Sequence, residues 1–372
     1  MKVSVFKRIS TAYITIGTTF GTWFSPLVTA LIIVMLRICV ALGQIIDRLF
    51  FFRALNKPLN NTILIVGNPR SGTTFFQRYL VNNGIGVGTQ IWQMLYPSIF
   101  LQKMIKPFLP FLEKLSPTRH HSKAAHVTGL QSVEADDASI FFRFYDGFFL
   151  YGFILSWAEE DLLEWMDPRV RDTTQRDYKW LESIWRRNQY VSGMDRSVTK
   201  LFSLSAALPQ FLEKFSDSNS KILYVIRDPL FVIPSGLSLV TGVLDKRFGF
   251  WNLPSEKRQI FINRLYRGLI HLLLRFHEDW INGRIDKSRV FIVHYDRIMT
   301  DFDNLMGEVL EFIDHLPSET LKKDIKETAE NQRKFKSEHK YDLEKFGLNG
   351  EQIKSDCAPI YATFLNTVPG SE

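Results

Sequence analysis

Two cysteines, Cys39 and Cys357, are too few in 372 residues for a disulfide framework, and they favour a reducing compartment. No Lys/Arg-rich block and no nucleic-acid motif accompanies the net charge of +7. The basic balance therefore points to a polyanionic small ligand or an acidic membrane surface, with no nucleic-acid partner. The absence of internal repeats and low-complexity tracts excludes solenoids and tails. His271 and His277 sit near helical spacing with no Cys or carboxylate to complete a metal set, so no metal is expected. An early, short apolar leader is also missing, which argues against a cleaved signal peptide.

What is present begins with Asn61–Leu80, NTILIVGNPRSGTTFFQRYL. Thr62–Val66 suits a buried strand, Gly67–Thr74 a glycine- and hydroxyl-rich turn, and Phe75–Leu80 a helix. Such a turn brings bare backbone N–H groups and a helix N-terminus against a phosphate. The spacing G-x-x-x-x-G matches a triphosphate-binding loop, but Thr73-Thr74 stands where such a site needs Lys-Ser/Thr. The cation is Arg70, inside the turn, placed to meet a transferred group.

Lys221–Arg227, KILYVIR, reads as a second strand that Asp228-Pro229 breaks into a helix. Arg227 at the strand end and Ser235 two turns into that helix can converge on one more phosphate. The competing reading is a surface ion pair of Arg227 with Asp228. Ser197–Phe202 is a further strand carrying Lys200, which is costly to bury without an anion partner. Arg289–His294 completes a set of four strands separated by helical stretches: an α/β fold with a P-loop-type central parallel sheet flanked by helices.

At these residues the sequence resembles the PAPS-dependent sulfotransferase superfamily, in its bacterial membrane-associated branch. PRSGTT at Pro69–Thr74 is similar to the 5′-phosphosulfate loop, YVIRDPLFVIPSG at Tyr224–Gly236 to the 3′-phosphate motif, and SEHKYDLEKFGL at Ser337–Leu348 to a C-terminal segment. The resemblance implies PAPS as co-substrate, without a metal. Pro69, Arg70, Ser71, Gly72, Thr73 and Thr74 would hold the phosphosulfate, Arg227 and Ser235 the 3′-phosphate, and Lys340 would close over the nucleotide. It also implies that Lys200 lies near the sulfonate. The position two residues beyond Lys200, where soluble members carry a catalytic histidine, is Phe202 here.

A base must therefore come from elsewhere, because the acceptor hydroxyl has to lose its proton as the S–O bond forms. His126–Asp137, HVTGLQSVEADD, offers Glu134, Asp136, Asp137 and His126, with the competing reading that one of the two aspartates caps the helix that follows. On helical spacing Glu134 and Asp137 share a face. The resemblance adds that Glu134–Asp137 matches an acidic Glu-x-Asp-Glu cluster, with Asp137 for the last Glu. Glu134 is the expected base. The aromatic run through Ser139–Trp165 reads as core, with an acceptor groove as the other reading.

Residues 11–52 are almost uncharged, and Pro26–Gly43, PLVTALIIVMLRICVALG, is broken only by Arg37. Its ten Leu, Ile and Val residues contribute about −0.3 to −0.6 kcal/mol each against roughly +3 for Arg37, leaving a small favourable sum. A span, an interfacial helix and a core or dimer helix all remain open. The expected organisation is a membrane-associating helical segment, 1–58, before a catalytic domain, 59–372, on the cytoplasmic side, with a homodimer possible. The expected reaction is sulfuryl transfer to a hydroxyl of a glycan or lipid-linked acceptor. A metal-dependent kinase using ATP and a non-catalytic nucleotide binder are the alternatives.

Overall fold

The computed structural model describes residues 2–59, 61–115, 129–216, 218–335 and 343–365. The chain divides into two compact units, one of residues 1–59, 87–197 and 239–268, the other of 60–86, 198–238 and 269–372.

The second unit holds the sheet. β1 (Ile63–Val66), β2 (Val198–Leu201), β3 (Lys221–Ile226) and β4 (Val290–His294) are all parallel, in the order β2-β1-β3-β4. Each lies within a run anticipated from apolar, β-branched residues. The short strand ILIV is buried at every position, as expected of a parallel strand covered on both faces. Ile63, Ile65, Leu223, Val225 and Val293 share a core with the Thr73–Asn82 and Phe302–Phe312 helices. On the opposite face Tyr224 stacks on Phe276, with ring centroids 3.4 Å apart. Parallel pairing sends all four C-terminal strand ends to one edge, where ligands collect in sheets of this kind.

The other unit is helical. α1 (Val5–Phe20) contributes Ala12 to a core with Leu150, Tyr151, Leu155, Leu162 and Trp165. Much of the aromatic run is therefore core. α2 (Phe24–Phe50) is the one helix, among the described residues, long and apolar enough to cross a membrane. Its Asp47 is fully buried and accepts hydrogen bonds from Ser98 Oγ (3.1 Å), the backbone N–H groups of Ile99 and Phe100 (3.0 Å each) and Arg187 Nε (2.9 Å). One carboxylate thereby neutralises a buried guanidinium and satisfies orphan donors at the start of the Ile99–Ile105 helix. The approach is close: a Cβ at Gly43 would stand 2.8 Å from Ser98 Oγ.

Candidate active site

The turn after β1 is built by its glycines. A Cβ on Gly67 would lie 2.4 Å from the carbonyl oxygen of Val225, and one on Gly72 would lie 2.9 Å from the Tyr295 ring. Both glycines have positive φ, 142° and 95°. Between them, Ser71 closes the turn by donating from Oγ (2.7 Å) and N (3.2 Å) to the carbonyl of Asn68. Asn68 in turn donates its side-chain N–H to Leu269 O at 2.8 Å. Thr73 and Thr74 then open the Thr73–Asn82 helix, so its positive dipole end emerges from the turn.

Arg70 has φ of 74°, a left-handed conformation that an L side chain adopts at a cost. Its Nε donates to Ser235 Oγ at 2.9 Å, across 165 residues of sequence. Its carbonyl accepts from Arg227 Nη1 at 3.0 Å. The Arg227 guanidinium lies 3.9 Å from the Tyr295 ring centroid and 5.6 Å from that of Phe231. Asp228 is engaged elsewhere, accepting from Leu230 N at 2.8 Å and from the Tyr361 hydroxyl. Lys200, paired in register with Ile65, is buried, and its Nζ donates to Thr74 Oγ1 at 2.7 Å. The two sequence motifs and Lys200 thus meet as one constellation of three cations, hydroxyls and a helix N-terminus. Its chemistry fits a multiply charged phosphate ester.

Two residues of this unit were not singled out by the sequence. Tyr295, first in its helix, packs against both Gly72 and Arg227. His294 ends β4 in register with Ile226 at the same sheet edge. Burial, then Arg297, holds its imidazole below the ordinary value, against the opposing pull of Asp296.

The acidic stretch belongs to the helical unit. Val133 forms an isolated antiparallel bridge with Gln90, and Glu134 N donates to Thr89 O at 3.2 Å. Helical structure begins only at Asp137, so the expectation that Glu134 and Asp137 share a helical face is corrected: Glu134 lies in irregular chain fixed by tertiary pairing. Glu134 is half-buried, whereas Asp136 and Asp137 are buried. Asp136 occupies the N-cap position, and its carboxylate accepts from the Trp185 indole at 3.1 Å. His126 and Lys340 lie outside the described residues. Among the described residues no group of three or more His, Cys, Asp or Glu could hold a metal ion.

A sequence profile of the Sulfotransferase domain matches residues 60–355. The fold is similar to that of sulfotransferase STF1 from Mycobacterium tuberculosis H37Rv, at 14% identity and a TM-score of 0.68, covering 95% of this chain and 91% of that one. It is also similar to sulfotransferase STF9 from Mycobacterium avium, at 16% identity and a TM-score of 0.65, covering 87% of this chain and 81% of that one. No curated protein matches the sequence. With four-fifths of its length matched, from just before β1 to well beyond the last strand, the chain belongs to the sulfotransferase family.

Proposed function

We propose that this sulfotransferase uses PAPS as donor and sulfates a hydroxyl of a glycan, glycolipid or other lipid-linked acceptor at the cytoplasmic face of a membrane. The observation that carries the donor assignment is the bond from Arg227 to the carbonyl of Arg70, together with that from Arg70 to Ser235. These bonds join the 5′-loop to the motif proposed for the 3′-phosphate, as a doubly phosphorylated nucleotide requires. PAPS supplies an electrophilic sulfuryl group on a phosphate leaving group.

The backbone of Gly67–Thr74 holds the phosphosulfate, and Arg227 and Ser235 hold the 3′-phosphate. Arg70 and Lys200 offset the negative charge that grows on the sulfuryl and bridging oxygens. Lys200 is held ready for this by its bond to Thr74. Glu134 accepts the acceptor's hydroxyl proton. Thr73-Thr74 in place of Lys-Ser/Thr disfavours a magnesium–ATP site.

Two measurements test the reading. Calorimetry should find tight binding of 3′,5′-ADP and none of ATP with magnesium. Incubating the protein and membranes with sulfur-labelled PAPS should label a lipid or glycan fraction. ATP displacing 3′,5′-ADP would favour a kinase, and nucleotide binding with no labelled product would favour a non-catalytic binder.

A further inference from the structure

We propose that α2 does not cross the bilayer: it lies in the plane of one anionic leaflet, keeping both chain termini on the same side. The inference rests on the membrane attachment proposed above and specifies its geometry.

A 27-residue helix is about 40 Å long, enough to span. Its ends, however, are tied to one helical unit. Just before it, Phe20 stacks on Phe248 with centroids 4.4 Å apart and meets Trp157 edge-on, and Lys257 donates to Thr18 O at 3.3 Å. Trp23 folds back onto Tyr13 and Gly17. Further along, Arg37 donates to Phe142 O (3.1 Å) and Gln44 to Pro97 O (3.1 Å), and Asp47 holds Arg187. A transmembrane placement would drag these polar partners and their backbone into hydrocarbon.

The side of α2 turned away from this unit tells the opposite story. Leu31, Met35, Ile38, Leu42, Ile45 and Leu49 are each more than half exposed. Their spacing of four and three residues draws one apolar stripe down the helix. Met104, Phe108, Phe111 and Leu115, in the segment that packs on α2 through Leu101 and Ser98, are exposed to a similar degree. Large apolar side chains exposed in this number on two packed segments mark an interaction site.

Charge chooses the occupant. Lys103, Lys106 and Lys114 rise from the second segment, and Arg48, Arg53 and Lys57 follow the stripe, all exposed. The acids nearby are turned inward: Asp47 is buried against Arg187, and Glu113 accepts from the backbone of Leu130 and Gln131. An apolar stripe flanked by lysine and arginine fits an acidic lipid surface, with acyl chains beneath the stripe and phosphate at its margins.

The test uses the full chain with an epitope tag at each end. It should float with phosphatidylglycerol-containing vesicles at least tenfold better than with phosphatidylcholine vesicles. Protease added outside should remove both tags. Fluorophore attached to the exposed Cys39 should shift to the blue on binding. Charge reversal at Lys106 and Lys114 should cut vesicle partition at least tenfold while leaving the melting temperature unchanged. Flotation with one tag protected would overturn the in-plane geometry alone. Failure to float, with a stable dimer in sedimentation, would give the stripe to a second copy and overturn the membrane attachment as well.

Discussion

Arg227 donates to the carbonyl oxygen of Arg70 at 3.0 Å while its guanidinium rests 3.9 Å from the ring of Tyr295. The two arginines are 157 residues apart in sequence, yet one orients the other's backbone. Arg227 is thus fixed by a hydrogen bond along one edge and by an aromatic plate across its face, which lowers the entropy it would lose on meeting a phosphate.

The plate has a measurable value. Tyr295→Leu should weaken 3′,5′-ADP binding roughly fivefold, the equivalent of about 1 kcal/mol for a cation–π contact. Tyr295→Phe, which keeps the ring, should bind as the wild type does. Calorimetry on the two variants separates the stacking from the hydroxyl.

Arg70 combines chemistry with strain. Arg70→Ala and Arg70→Gly should both abolish transfer, because each removes the cation. Glycine adopts a φ of 74° without the penalty that alanine incurs, so the glycine variant should be the more stable of the two by roughly 1 kcal/mol. Denaturant midpoints read the difference, and equal midpoints would remove strain from the account.

Glu134→Gln should lower turnover by about 10²- to 10⁴-fold, the range of a lost general base, and leave 3′,5′-ADP affinity unchanged. A fall confined to affinity, or a larger loss in Asp137→Asn or His126→Ala with folding retained, would move the proton to another acceptor.

Asp47→Ala should cost about 3 kcal/mol or more, since it leaves Arg187 buried without its counter-charge and the Ile99 and Phe100 amides unpaired. Asp47→Asn should lose less, because an amide oxygen still accepts. Thermal melts of both variants with the double change Asp47→Ala, Arg187→Met would measure the coupling.

Acidification should destabilise the chain through two of its imidazoles. Burial lowers His294, and likewise His277, whose Nε2 lies 2.8 Å from Thr363 Oγ1. The unfolded chain therefore takes up protons first, near the ordinary value of about 6.5. Stability is complete above that pH and declines as pH falls below it towards the lowered folded values. His294→Gln with His277→Gln should flatten the decline that sets in below about pH 6.5, as followed by denaturant melts.

Much of the sheet and the glycine turn after β1 was readable because the signals are local. A short β-branched run, a glycine that tolerates the carbonyl of Val225, and threonines opening a helix all fall within twenty residues. Arg227 was legible for the same reason, as the last residue before Asp-Pro. Tyr295 was not, because its place beside Gly72 and Arg227 follows from the register of β4 on β3, which no periodicity encodes. The stretch around Glu134 was misread as helix because pairing of Val133 with Gln90, a residue far away in sequence, decides its backbone. Length and apolarity could not say whether α2 spans, since that depends on partners such as Arg187.

Arg187 comes 140 residues after the carboxylate it neutralises. At a synthesis rate of about 5–20 residues per second, the ribosome needs roughly 7 to 28 seconds to deliver it once Asp47 has been made. Ser98 and the Ile99 and Phe100 amides, 51 to 53 residues after Asp47, are made well before it, so the carboxylate acquires its hydrogen-bond donors before its counter-charge. The ion pair that fixes α2 on its unit is therefore among the last of its contacts to become available as the chain is made.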